Sequence, residues 1–166
     1  MQVREEDRRL VKFLLFSVIS FFIGTLHGLL QVIPPIRHWL DAIGSPYGGP
    51  GHMIDPLAHA HINLVGGVTM LGMAVTYYLL PRLLGREVYS TRMVEHSFWW
   101  TASGVGSFYV ALMIFGFVEG YFWLHDPARV PAIHRWYGAV ISIASTVLAL
   151  GFWIYFVNVY LTIRRR

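Results

Sequence analysis

The sequence predicts an all-α membrane protein, a single domain of four transmembrane helices. Three observations predict it. Apolar residues fill 55% of the 166 positions and charged residues 13%, about half the ~25% charged content of soluble proteins. Four apolar runs, at about residues 10–33, 57–80, 97–121 and 132–161, are long enough at ~1.5 Å per residue to cross a ~30 Å hydrocarbon core. The basic residues gather outside these runs: the N-terminal tail, the middle loop and the C-terminal tail carry 10 of the 13, and the other two loops hold only Arg37, Arg129 and Arg135. Cationic loops stay inside, so both termini should be cytoplasmic.

The formal charge of +4 comes from arginines placed for topology, which gives no reason to expect nucleic acid as a partner; the expected surroundings are membrane lipid. No cysteine is present, which excludes disulfides, iron–sulfur clusters, thiol catalysis and covalently attached c-type haem.

Residues Met1 to Lys12 mix Arg4, Arg8, Arg9 and Lys12 with Glu5, Glu6 and Asp7, an amphipathic lead-in on the cytoplasmic side. The apolar run behind them is too long for a signal-peptide core, so it reads as span one. Gly24 and Gly28 there form a G-x-x-x-G pair suited to close helix approach, and His27 between them reads first as a helix–helix hydrogen-bonding group. Pro34-Pro35 ends the span. The loop to Pro56 is dense in glycine and proline but carries Tyr47, Met53 and Ile54, an ordered cap in which His38 and His52 are surface residues.

Span two holds no charge across the 24 positions from Leu57 to Leu80, and ends at Pro81 before the arginine-bearing middle loop. Span three starts with the interfacial aromatics Phe98, Trp99 and Trp100 and carries Glu119 beside a second G-x-x-x-G pair, Gly116 and Gly120. For that carboxylate the expected roles are a structural partner to Arg135 or Tyr121, or a proton relay. Span four closes on Arg164, Arg165 and Arg166. With this topology seven of the eight histidines face outward, and only His96 lies inside.

The segment with most chemistry is His59-Ala60-His61 followed by Ile62-Asn63-Leu64-Val65-Gly66-Gly67. Two residues along an α-helix turn a side chain by about 200°, so the imidazoles point to opposite sides. One metal ion cannot take both from one regular helix; two flat macrocycles flanking it each could take one. The spacing therefore favours haem, with His59 and His61 as iron ligands and His27 and His134 as weaker candidates. Gly66 and Gly67, with Gly72, read equally as flat ground for a porphyrin or as helix-packing positions.

The stretches LHGLLQVIPP, AHAHINLVGGVTMLGMAVTYYLLPRL and HSFWW resemble the last four helices of the large subunit of bacterial nitric oxide reductase, and more broadly of subunit I of the haem-copper oxidases. The resemblance runs from about Gly24 to Gly120, and the middle stretch is its specific part. It implies haem ligation by His59 and His61, near the outer face of a bacterial inner membrane. The family's second metal takes three histidines including an adjacent pair, and this chain has no His-His pair.

The family's three four-helix repeats around a central axis suggest a homotrimer, with a dimer second. In that trimer His59 of one protomer and His61 of the next would ligate each of three low-spin haem b groups. Bis-histidine iron has no open position, so electron transfer with a redox partner is the first functional expectation. A minimal nitric oxide or oxygen reductase with an open haem, and a haem-free accessory subunit of a reductase complex, are the alternatives.

Overall fold

The computed structural model describes residues 5–165, with the side chains of Glu5 and Glu6 left aside. Most of the expected charged lead-in before Asp7, and the last arginine of the C-terminal triplet, therefore lie outside the described residues. Within them the chain is helical throughout, with no strand. Four stretches are long and apolar enough to cross a membrane, at Asp7–Gln31, Gly49–Leu84, Thr91–His125 and Pro127–Arg164.

Helix α1 (Glu5–Gln31) ends just before the double proline. Pro34-Pro35 does more than stop it. Ile33 is extended (φ −67°, ψ 125°), and the prolines then occupy the first turn of a second helix, α2 (Pro34–Ala42), where their missing N–H groups cost nothing. The expected cap is thus partly helical. Its apolar side is buried, with Leu40 and Ile43 packing on Ile54.

The long stretch α3 (Gly49–Leu84) is bent at Asp55, whose φ of −128° and ψ of 112° are not helical. Pro56 follows the bend. At the other end Pro81 lies inside the helix, and the true stop is Gly85, in the left-handed region at φ 62°. Such a C-cap suits glycine, which has no Cβ to clash. Proline one turn earlier frees the Tyr77 carbonyl, four residues back, at the end of the helix where the ladder is about to stop; separately, the Arg82 side chain donates to the Tyr78 carbonyl at 2.6 Å.

Past the bend, part of α3 is wound more widely than an α-helix, from Ile62 to Thr69. Side chains take several carbonyls along this stretch: His61 bonds Leu57 O (2.8 Å), Asn63 bonds His59 O (2.9 Å), Thr69 bonds Leu64 O five residues back (2.9 Å), and Ser17 bonds Gly67 O (2.8 Å). Carbonyls engaged in this way compete with the regular ladder, which is a recognised cause of such wide turns.

Helix α4 (Thr91–His125) begins at Ser90, whose hydroxyl accepts from the Met93 N–H. A short helix α5 (Val130–His134) leads into α6 (Tyr137–Arg164). The α4–α6 seam is close: a Cβ on Gly104 would lie 2.5 Å from the Leu148 backbone, and one on Gly151 2.6 Å from the Thr101 nitrogen. Asn158 of α6 exchanges two 3.0 Å bonds with the Ser90 backbone, tying the end of α6 to the start of α4. At this arginine-bearing end all four long helices meet around Phe13, Met70, Met73, Tyr77 and Phe98, with Phe152 and Tyr155 against them.

Candidate functional site

The histidine-bearing end is held by an ionic clamp. Arg37 of α2 reaches the bend in α3, with Nη1 2.6 Å from Asp55 Oδ2, Nη2 donating to Ser45 Oγ (2.9 Å) and Nε donating to Asp41 (2.9 Å). Ser45 in turn donates to Asp55 at 3.0 Å. The hydrogen bonds to Asp55, and then to Asp41, push the guanidinium pKa above its ordinary value. This clamp pins the bend in α3, and His59 and His61 follow it by four and six residues, within two turns.

His59 and His61 diverge, as their spacing requires. His59 faces α1: its ring lies 5.4 Å from that of His27, and its Nε2 is 3.0 Å from where a Gly28 Cβ would stand. Gly24 accepts Asn63 in the same way, with Oδ1 2.2 Å from its Cβ position. The first G-x-x-x-G pair is therefore the socket for His59 and Asn63. His61 faces α4 instead, its ring 4.6 Å from Phe108. Its Nδ1–H donates to the Leu57 carbonyl, which selects one tautomer and leaves Nε2 carrying the lone pair.

Gly66 and Gly67 are buried under α1: added Cβ atoms would meet Ser20 Oγ and Phe21 Cε1, each at 2.5 Å. Of the two readings the glycines allowed, close helix packing is the one this geometry carries. Both Cβ positions face side chains of α1.

The weaker candidates are otherwise engaged. His27 is buried, with Gln31 donating to Nε2 (3.0 Å) and Nδ1–H donating to the Tyr109 hydroxyl (3.3 Å). That makes a hydrogen bond between α1 and α4. His134 donates Nδ1–H to Glu119 at 3.1 Å to both oxygens, and its ring stacks on Tyr137 at 5.1 Å. The buried Glu119 thus pairs with His134, and not with Arg135 or Tyr121 as the sequence suggested. Arg135 lies over Trp136 and Tyr121 stacks on His125. Among the described residues no three His, Asp or Glu side chains converge where one ion could sit. Sequence reasoning missed Arg37, Asp55, Phe108 and Tyr109; only the Arg37–Asp41 spacing of four hinted at any of them.

Beyond His61, α3 presents an apolar stripe outward: Leu64 is 59% exposed, Val68 52%, Leu71 40% and Val75 44%. So the helix with the two histidines is covered by α1 on one side and open on another.

The family model described as cytochrome c and quinol oxidase polypeptide I matches residues 55–138, from the bend in α3 through α4 to the start of α6. The chain is similar to cytochrome c oxidase subunit 1 of Rhodobacter capsulatus, 29% identical over 116 residues, covering 60% of this chain and 22% of that one. It is also similar to the Cbb3-type cytochrome c oxidase subunit CcoN1 of Stutzerimonas stutzeri (22% identical; 69% of this chain, 22% of the relative). A cytochrome c oxidase subunit 1 homolog of Azorhizobium caulinodans is 28% identical, over 66% of this chain and 22% of its own. The chain thus spans about a fifth of the length of these relatives. No solved structure matches. The matched residues contain both divergent histidines, and the four apolar helices are those of a membrane protein: the chain belongs to the cytochrome c and quinol oxidase polypeptide I family, subunit I of the haem-copper oxidases.

Proposed function

We propose that this chain is a b-type haem protein of the bacterial inner membrane that carries electrons, with His61 as an axial ligand. The observation that carries the reading is the bond from His61 Nδ1–H to the Leu57 carbonyl. A backbone acceptor behind an imidazole fixes ring orientation, presents Nε2 outward and raises its basicity, which is how haem and metal histidines are usually held. His61 also heads the exposed stripe of Leu64, Val68 and Leu71, a surface suited to a flat apolar macrocycle. Haem bound there would supply a one-electron couple. Held by two imidazoles, its iron has no free position, which favours electron transfer over gas reduction.

The second imidazole is assigned to His61 of a further copy of the chain covering the stripe, an arrangement that a two-fold dimer supplies; the homotrimer would need His59 as the second, different ligand at each interface. His59 could serve a neighbour only by turning off Gly28, so within this proposal it is a packing residue. The arginine-bearing end is assigned to the cytoplasmic side and the histidines to the outer side.

The test is the optical spectrum of the purified chain and its variants. His61→Ala should abolish low-spin b-type bands. His59→Ala should keep them, as should Gly28→Ala, whose methyl presses only on His59. A wild-type protein without haem, or a His61→Ala protein with its full low-spin spectrum, would refute the assignment. Loss of haem in Gly28→Ala and His59→Ala alone would move the ligand to His59.

A further inference from the structure

At the other end of the bundle, a cavity of about 310 Å³ opens between the start of α1, the end of α3 and the first turn of α4. Three arginines line it, Arg9, Arg82 and Arg86, against two carboxylates, Asp7 and Glu87. The balance is positive. Arg82 is held by Asp7 (2.9 and 3.0 Å) and by the face of Tyr78, and Arg9 lies 3.8 Å from Glu95. Arg86 differs from both. Its Nη2 donates to the Ile163 carbonyl at 3.1 Å, whereas its Nε–H is buried and finds no acceptor among the described residues.

Two further features point the same way. Thr91 and Val94, in the first turn of α4, form part of the wall, so the positive end of a 35-residue helix dipole faces the space. The cavity also has apolar ground in Leu10 and Val94, beside Leu83, which is 80% exposed. It stands where the apolar runs give way to charge, the level at which lipid headgroups lie.

We infer that this cavity binds a phosphate group, that of an anionic membrane lipid or free phosphate, with Arg86 as the principal donor. A phosphate oxygen is the acceptor that a guanidinium with an unused Nε–H matches best, because two N–H groups of the planar fork can address one anion. The helix terminus adds attraction without adding a counter-charge. Glu87, exposed on the wall, opposes binding.

The experiment is native mass spectrometry of the detergent-purified chain with dihexanoylphosphatidylglycerol, with dihexanoylphosphatidylcholine and with inorganic phosphate, each alone, for three proteins. The parent should retain phosphatidylglycerol; Arg86→Gln should weaken it about tenfold, and Glu87→Gln should strengthen it several-fold. Should Arg86→Gln fail to fold, Glu87→Gln decides alone. If inorganic phosphate binds with the same dependence on both residues and the lipid does not, the phosphate site stands and its source is free phosphate. Retention of phosphatidylcholine as strongly as phosphatidylglycerol, or anion binding indifferent to both substitutions, would overturn the inference.

Discussion

Replacing Gly104 by alanine tests how α6 is attached and whether it takes part in the site. The new methyl would stand 2.5 Å from Leu148 Cα and N, where ordinary contact begins at 3.4 Å. Leu148 offers backbone there, so relief requires α6 as a whole to retreat by ~0.9 Å, the difference of those two distances. A gap of that size forfeits roughly a quarter to a half of each dispersion contact along the seam. Overpacking of this kind costs about 1–3 kcal/mol, and the rigid obstacle puts Gly104→Ala in the upper half, about 2–3 kcal/mol. Gly106, two residues on, has nothing within 4 Å of its Cβ position; Gly106→Ala should therefore be neutral or slightly stabilising. Reversible unfolding by dodecyl sulfate in mixed micelles, followed by helical ellipticity and by the band of the haem proposed above, measures both. His61 and Phe108 lie between α3 and α4, so the haem band of folded Gly104→Ala should not move. Stability within about 0.5 kcal/mol of the parent would refute the seam, and a shifted haem band would bring α6 into the site.

Three other outcomes are expected. Arg37→Ala should cost about 2 kcal/mol through the lost charged hydrogen bonds and lower the haem-to-protein ratio, because α3 is no longer pinned at Asp55. The Arg37 pKa is raised by those bonds, so its contribution is complete below its ordinary range and lost only as pH rises beyond it; the melting temperature gap between parent and Arg37→Ala should stay flat from neutral to moderately alkaline pH. Glu119→Gln keeps an acceptor for His134 and should reduce stability by about 1 kcal/mol with an unchanged spectrum; an altered pH dependence of haem reduction would instead make Glu119 a proton-coupled group. A cytoplasm-dependent reporter fused after Arg166 should be active, and activity of an export-dependent one would reverse the topology.

Four membrane helices were legible because uncharged runs alternate with arginine clusters, a signal that needs no tertiary information. The opposed directions of His59 and His61 were legible too, since a two-residue step on a helix fixes them whatever surrounds it. Elsewhere the local pattern has more than one solution. Pro34-Pro35 terminates one helix and is equally good at starting the next, and only the burial of Leu40 and Ile43 against Ile54 decides that it does both. Pro81 looked like a stop because the signal for the actual one, Gly85, lies beyond an arginine that serves the helix end. Glu119 had several polar residues within reach across a short turn, and the turn's geometry chose His134. Gly66 and Gly67 are small for the sake of Ser20 and Phe21, residues far away in sequence.

The wide turns of α3 set the phase of this helix. A five-residue turn advances the chain by one residue without the rotation an α-helix would give it, so the stretch Ile62–Thr69 sets the angle between two independent rows of side chains. Above it His59 and His61 address α1 and α4; below it Met70, Met73, Ala74 and Tyr77 address the core. Deleting a single residue between Ile62 and Thr69 would remove the residue that carries no rotation and restore a regular ladder with the two rows still in phase. An insertion there would instead rotate one row by about 100° against the other, so that the core and the histidines could no longer both meet their partners. This segment should therefore tolerate a one-residue deletion better than an insertion, and an insertion should be far more damaging than any one substitution at an exposed position such as Leu64.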